Sequence, residues 1–195
     1  MSYRRLLSIL QPKTPRRARL VPTRLVCVWL FLLMACGATL SASVAGEAVA
    51  PPREPAPSFS SLLTDEAGAE FDIADFQGRP LMINFWATWC APCIAELPAL
   101  SRAAAALASD GVTVLLVSID RGGVKKAAPF LEKHGVTGAM RGFDPKATLS
   151  REMGVRGLPT TILLSAGQES AWRFVGPFEW DDQAMLTLIR GLLVE

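Results

Sequence analysis

Histidine occurs once in these 195 residues, tyrosine once and cysteine four times. Each scarcity removes a class of chemistry. A lone His134 cannot supply the two or three imidazoles of most catalytic zinc or copper sites. It is expected to be an exposed residue near a helix end. Four cysteines are too few for a disulfide-stapled scaffold, and two of them, Cys27 and Cys36, lie in an apolar stretch near the N-terminus. That leaves Cys90 and Cys93 as the pair available to the rest of the chain. A structural zinc site needs four ligands, and two thiols with one histidine fall short. Acidic residues are missing altogether from the first 45 positions, which carry Arg4, Arg5, Lys13, Arg16, Arg17, Arg19 and Arg24. Beyond them the chain has 13 basic and 18 acidic residues, so the formal net charge of +2 is set by the head. That acidic balance argues against a nucleic-acid-binding face.

What is present is mostly apolar. Half the residues are hydrophobic, enough for one domain with a real core and a tail. The head has the layout of an export signal. Basic residues precede the run "LVCVWLFLLMACGATL" (25–40), and small residues, "SASVAGEAVA", follow. The basic side stays in the cytoplasm, so the remainder is expected on the far side of the inner membrane, in the periplasm. The run from Leu25 to Ala45 is long enough to anchor the chain in a bilayer. Ser43-Val44-Ala45 also offers a small-x-small cleavage site, and Leu33-Met34-Ala35-Cys36 a poor lipobox. Residues 1–45 therefore read as a signal or membrane anchor, 46–57 (ending in "AVAPPREPAP", 48–57) as a stiff proline-rich linker expected not to pack, and 58–195 as the globular domain.

Within that domain, strands alternate with helices. "AEFDIADFQGRP" suggests a short strand and turn. "LMINFWA" and "GVTVLLVSI" are continuous apolar runs, as for strands buried on both faces. A helix is expected from the cysteines through "IAELPALSRAAAALAS", kinked at Pro98. "VKKAAPFLEKHG" reads as a helix with a glycine stop. "DPKATLSREMG" reads as another, with Asp144 as cap and Pro145 at its first position. "TTILLS" and "SAWRFVG" form a hairpin around Ala166-Gly167-Gln168, and "DDQAMLTLIRGLL" closes as an amphipathic helix. The pattern predicts an α/β sandwich with a central mixed sheet flanked by helices.

The pair sits in "FWATWCAPC". A disulfide across two residues closes so small a ring that it adds little stability, which argues against a staple. A redox couple has a mechanism. Where a strand hands over to a helix, the first sulfur lies at the helix N-terminus, and free amide hydrogens and the dipole favour its thiolate. Cys90 is then the attacking nucleophile and Cys93 the resolving thiol, with Pro92 stiffening the loop between them. Trp89, beside the nucleophile, reads as an apolar platform for a partner peptide, with core packing as the plainer alternative. Trp172 and Trp180 are assigned nothing beyond packing.

"NFWATWCAPC" resembles the active site of the thioredoxin fold. Pro98 lies where that family kinks its first helix, "GLPTTILL" resembles the segment carrying its cis-proline, and Gly176 follows the last strand. More narrowly, "FDIADFQGRPLMINFWATWCAPC", Glu96 and the extra strand and helix before "GLPT" resemble the membrane-tethered TlpA/ResA-type thiol:disulfide reductases, and "GPFEW" points to the TlpA side. The resemblance covers about residues 58–195. It implies a thioredoxin-like sandwich with an N-terminal β extension and a central strand-helix insertion. It also implies a cis peptide before Pro159, with Leu158 and Thr160 shaping the docking groove through backbone contacts. No metal or other cofactor is expected besides the redox-active Cys90–Cys93 disulfide. Implied partners are protein disulfides in the periplasm, a membrane electron donor of the CcdA/DsbD kind, and clients in cytochrome c maturation or cytochrome oxidase copper-site assembly. A tethered monomer is the default.

One departure matters. Ordinary thioredoxins carry a buried aspartate in the strand before the motif as proton acceptor, and Asn84 stands there instead. An amide cannot take that proton. Glu96, one turn beyond Cys93, is the candidate, against the plainer reading of a solvated helix carboxylate. The dipeptide Ala91-Pro92 brings neither charge nor imidazole, so the thiolate has only limited support and the couple is expected to be reducing. A disulfide oxidase or isomerase, or a non-redox copper-binding module on the same scaffold, are the alternatives. The former would favour a histidine or acid between the cysteines, the latter a further histidine or methionine ligand.

Overall fold

The computed structural model describes residues 49–193. The signal or anchor segment lies outside these, as does the start of the linker. Among the described residues no helix is long and apolar enough to cross a membrane. The chain runs β1 (Arg53–Pro55), β2 (Leu63–Thr64), β3 (Glu70–Phe71), a 3₁₀ turn (Ile73–Phe76), β4 (Leu81–Trp86), α1 (Ala91–Leu107) and β5 (Thr113–Ser118). It continues through α2 (Val124–Lys133), β6 (Met140–Phe143), α3 (Thr148–Glu152), β7 (Thr160–Leu164), β8 (Ser170–Val175) and α4 (Gln183–Leu193).

The eight strands among the described residues join one sheet in the order β1-β8-β7-β4-β5-β6-β2-β3. β4, β5 and β6 run parallel, while β7 is antiparallel to β4 and pairs with β8 as a hairpin. The sheet is mixed, as the sequence predicts. Side chains alternate across β4, which is buried at every position. Met82 and Trp86 join one core with Leu97 and Leu100 of α1, Leu131 of α2 and Ile189 of α4. Leu81, Ile83 and Phe85 join the other, with Ile73, Phe76, Leu149 and Met153. Burial on both faces is why β4 reads as an unbroken apolar run. β6 and α3 form the expected insertion, and β2 and β3 the expected N-terminal extension on its outer side.

Two sequence expectations need correction. The linker predicted over 46–57 does not stay unpacked up to Ser58. Arg53, Glu54 and Pro55 pair with Trp172, Ala171 and Ser170 as an antiparallel edge strand, and the Ala56 N–H donates to the Glu169 carbonyl at 3.0 Å. Prolines are tolerated there because an edge strand leaves one row of its backbone groups unpaired. The helix expected from Pro145 begins instead at Thr148, after Ala147 in the left-handed region at φ 52°. Asp144 still caps it, from a distance. Its carboxylate accepts the N–H groups of Thr148 at 2.7 Å and Ser150 at 3.0 Å. α1 runs without a break through Pro98, and α2 also contains a proline, Pro129.

Candidate active site

β4 delivers the chain to the site at its C-terminal end. After Trp86 and a three-residue loop, Cys90 stands at the N-cap of α1 in extended conformation, and its sulfur accepts the N–H of Cys93 at 3.3 Å. Cys90 and Cys93 form a disulfide, with Sγ–Sγ 2.05 Å. Cys90 is 6% exposed and Cys93 0%, so an incoming group meets Cys90 first. The amides of the first helical turn are oriented to stabilise a thiolate on that sulfur. Pro92 is exposed on the same turn.

The loop bearing Trp89 is clamped from β5. Asp120, fully buried, accepts the Thr88 N–H at 2.8 Å and the Thr88 hydroxyl at 2.7 Å. The Ser118 hydroxyl donates to it at 3.1 Å, and the Lys126 ammonium lies 3.0 Å away. Burial pushes the Asp120 carboxyl up, but the Thr88, Lys126 and Ser118 donors together outweigh it and hold it below its ordinary value. Asp120→Ala strands the part-buried Thr88 N–H and hydroxyl, and is expected to cost about 1–3 kcal/mol. Because the native pKa is depressed, this contribution is present above the ordinary aspartate range and lost as pH falls through the native value. Urea unfolding of both proteins from neutral pH into acid should show the difference shrinking. A pH-independent gap would mean that packing, not charge, is what Asp120 supplies.

Glu96 is not a solvated helix acid. It is 4% exposed and faces the sheet. Its Oε1 accepts the Asn84 side-chain N–H at 2.8 Å. Its Oε2 accepts the indole N–H of Trp180 at 3.0 Å and the Phe178 N–H at 3.3 Å. Burial raises its pKa, and the hydrogen bonds from Asn84, Trp180 and Phe178 oppose the rise without cancelling it. A carboxyl tuned upward in this way can change protonation nearer neutral pH than an exposed one. Asn84 spans from Glu96 to the Thr161 hydroxyl at 2.9 Å, while its own Oδ1 has no partner.

Across the groove lies the β7 approach. The Leu158–Pro159 peptide is cis, as the resemblance implies. Pro159 is buried, and its carbonyl accepts the Gly176 N–H at 3.0 Å. Gly176 has φ 100°, a conformation other residues adopt only with strain. No hydrogen bond with a described residue engages the backbone N–H or C=O of Leu158, which leaves both available to an extended peptide. Trp89, Cys90, Pro92 and Leu158 line one open groove of about 560 Å³. Thr160 does not line it. Its hydroxyl turns back to the Gly157 carbonyl at 2.7 Å. Trp89 is 64% exposed at the groove wall, which removes the core-packing reading.

Three contributors escaped the sequence reading. Trp180, assigned only to packing, and Phe178 hold the Glu96 carboxylate, and Asp120 holds the Trp89 loop. The "GPFEW" segment marked the first two by resemblance, but no local pattern says that an indole 84 residues away donates to Glu96. His134 stands apart at the end of α2, stacked on Phe130, as an exposed residue. Among the described residues no group of three or more His, Cys, Asp or Glu is placed to hold a metal ion.

Residues 51–189 match the Redoxin family. The chain belongs to that family. Within it, the thiol-disulfide oxidoreductase ResA of Geobacillus thermodenitrificans is 32% identical over 138 residues, covering 70% of this chain and 77% of the relative. The thiol:disulfide interchange protein DsbE of Escherichia coli is 32% identical over 137 residues, covering 67% and 70%. Among solved structures, a DsbE-type thiol:disulfide interchange protein from Chlorobium tepidum superposes with a TM-score of 0.63 at 28% identity, over 74% of this chain and 98% of that one. This Redoxin chain is a thiol:disulfide oxidoreductase of the ResA/DsbE type with a thioredoxin-like fold.

Proposed function

We propose that this oxidoreductase works as a reductant of disulfides in periplasmic client proteins, held at the inner membrane by its N-terminal segment. Cys90–Cys93 is its redox centre, and no metal or further cofactor takes part. One observation carries the direction of electron flow. The sulfur of Cys90 is supported by the first turn of α1 alone, and the Ala91-Pro92 dipeptide puts no imidazole or ammonium between the cysteines to overstabilise the thiolate. The cations that line the groove make no hydrogen bond to the Cys90 sulfur, whose partner is the Cys93 N–H. Glu96 supplies the proton acceptor for Cys93 that Asn84 cannot be. A reducing thiol outside the cytoplasm must be recharged, so a membrane dithiol donor of the CcdA/DsbD kind is its source of electrons. Its clients belong to cytochrome c maturation or to copper-site assembly of cytochrome oxidase, a reading that the resemblance to TlpA/ResA reductases supports. The protein acts as a tethered monomer.

Equilibration with glutathione buffers tests the direction. The expected potential lies near the thioredoxin value of about −270 mV. A value close to that of DsbA, about −120 mV, would overturn the reductant reading in favour of an oxidase.

A further inference from the structure

The rim of the groove is charged against the balance of the domain. Beyond residue 45, acidic residues outnumber basic ones 18 to 13. Yet no carboxylate lines the two depressions that meet at Trp89. Their charged lining is Arg121, Lys126, Lys146, Arg151 and Arg156. The neighbouring carboxylates are engaged elsewhere. Asp120 is buried beneath Thr88 and neutralises Lys126. Asp144 is buried at the start of α3, accepting from Thr148 and Ser150. Glu152, next to Arg151 in sequence, accepts the backbone N–H groups of Ser60 at 3.0 Å and Ser61 at 3.1 Å. Arg121, Lys146, Arg151 and Arg156 are all exposed, and none pairs with a described acid. The Arg151 guanidinium donates to the Lys146 carbonyl at 2.8 Å, which ties two of these cations together at the rim.

We propose that this rim selects protein clients whose disulfide is flanked by carboxylates, an inference that rests on the reductant reading above. The acidic segment lies across Trp89, its carboxylates meet Arg121, Lys146, Arg151 and Arg156, and its backbone reaches the open N–H and C=O of Leu158. An extended peptide suits a groove with the reactive sulfur in its floor and unpaired backbone on its wall. The excess of cations at the groove wall speeds encounter with an anionic segment and disfavours a basic one. The chemistry balances within the pair. The Cys90 thiolate attacks one client sulfur, and the other leaves as a thiolate. The Cys93 thiolate then attacks the Cys90 sulfur and releases the second client thiolate. The client gains two electrons and the chain ends as its Cys90–Cys93 disulfide.

The test uses the full-length chain, reduced and freed of excess reductant. Three peptides of equal length carry one disulfide flanked by glutamates, glutamines or lysines, with 2-hydroxyethyl disulfide as a neutral reference. Rates are expressed relative to that reference, so a general change in thiol reactivity cancels. At low salt the glutamate peptide should react roughly 10-fold or more faster than the lysine peptide. The ratio should collapse toward one at high salt. The double variant Arg121→Glu/Lys146→Glu should abolish or reverse the order. Equal relative rates for the three peptides, or an order that the double variant leaves intact, would sink the selection. Equal rates together with weaker partition of the double variant onto phosphatidylglycerol vesicles would assign the rim to lipid and sink it too. Failure to reduce even 2-hydroxyethyl disulfide would overturn the reductant reading and this inference with it.

Discussion

Cys93→Ser is expected to turn the catalyst into a trap. Cys90 remains at the N-cap of α1 with its support from the first turn, so attack on a client disulfide still proceeds. The mixed disulfide then has no resolving thiolate, because a serine hydroxyl at neutral pH is not one. Turnover should fall to background, a loss on the order of 10³-fold or more, as for deletion of a group that acts in concert with others. A species of summed mass should accumulate on non-reducing gels and vanish with dithiothreitol. Cys90→Ser should lose turnover equally and trap nothing. The asymmetry follows from exposure: Cys90 is at the surface of the groove and Cys93 has no accessible area. Trapping by Cys90→Ser instead would reverse the two roles. The partner captured by Cys93→Ser in cells would also identify the client.

Glu96→Gln carries the second large effect. The substitution keeps the shape and removes the base. Deprotonation of Cys93, buried beyond easy reach of water, should slow, and client reduction should fall by about 10²–10⁴-fold, the typical worth of a positioned general base. Attack by Cys90 should change less, since its thiolate is supported by the helix. Stability should move the other way. Burial raises the native pKa of Glu96, so the folded state binds its proton more tightly than the unfolded chain does. The wild type therefore loses stability as pH rises from the ordinary glutamate range through the raised native value, and the glutamine variant does not. A glutamine oxygen can take the Trp180 and Phe178 donors, and the unpartnered Asn84 Oδ1 can accept its amide once the Asn84 amide turns over. Melting temperatures across that range should converge in acid and diverge toward neutrality. Unchanged turnover and an unchanged pH–rate profile would return Glu96 to a structural role.

The redox pair was legible because its chemistry is local. Two thiols, their spacing, the apolar strand before them and the alanine-rich helix after them all fall within one stretch of chain, and the N-terminal turn of a helix acts over a few ångströms. The order of the main elements was legible for the same reason: periodicity, glycine stops and proline breaks are near-neighbour effects. Arg53–Pro55 was misread because its proline-rich composition describes an isolated chain, while its pairing with β8 depends on a free sheet edge 117 residues away. The start of α3 was misplaced because Asp144 caps across a left-handed Ala147 and not from the adjacent position.

From sequence alone came the thioredoxin-like class, the Cys90–Cys93 couple with its nucleophile and resolver, the cis bond before Pro159 and the candidacy of Glu96. Only the tertiary structure decided what Glu96 is. A carboxylate on a helix is exposed or buried according to what packs over it, and here Phe178 and Trp180 close over it from beyond β8. The rim was decided the same way. Composition counts every charge but not its position, and folding turned Asp120, Asp144 and Glu152 toward donors away from the groove wall, so four cations face the groove with no carboxylate among its lining residues.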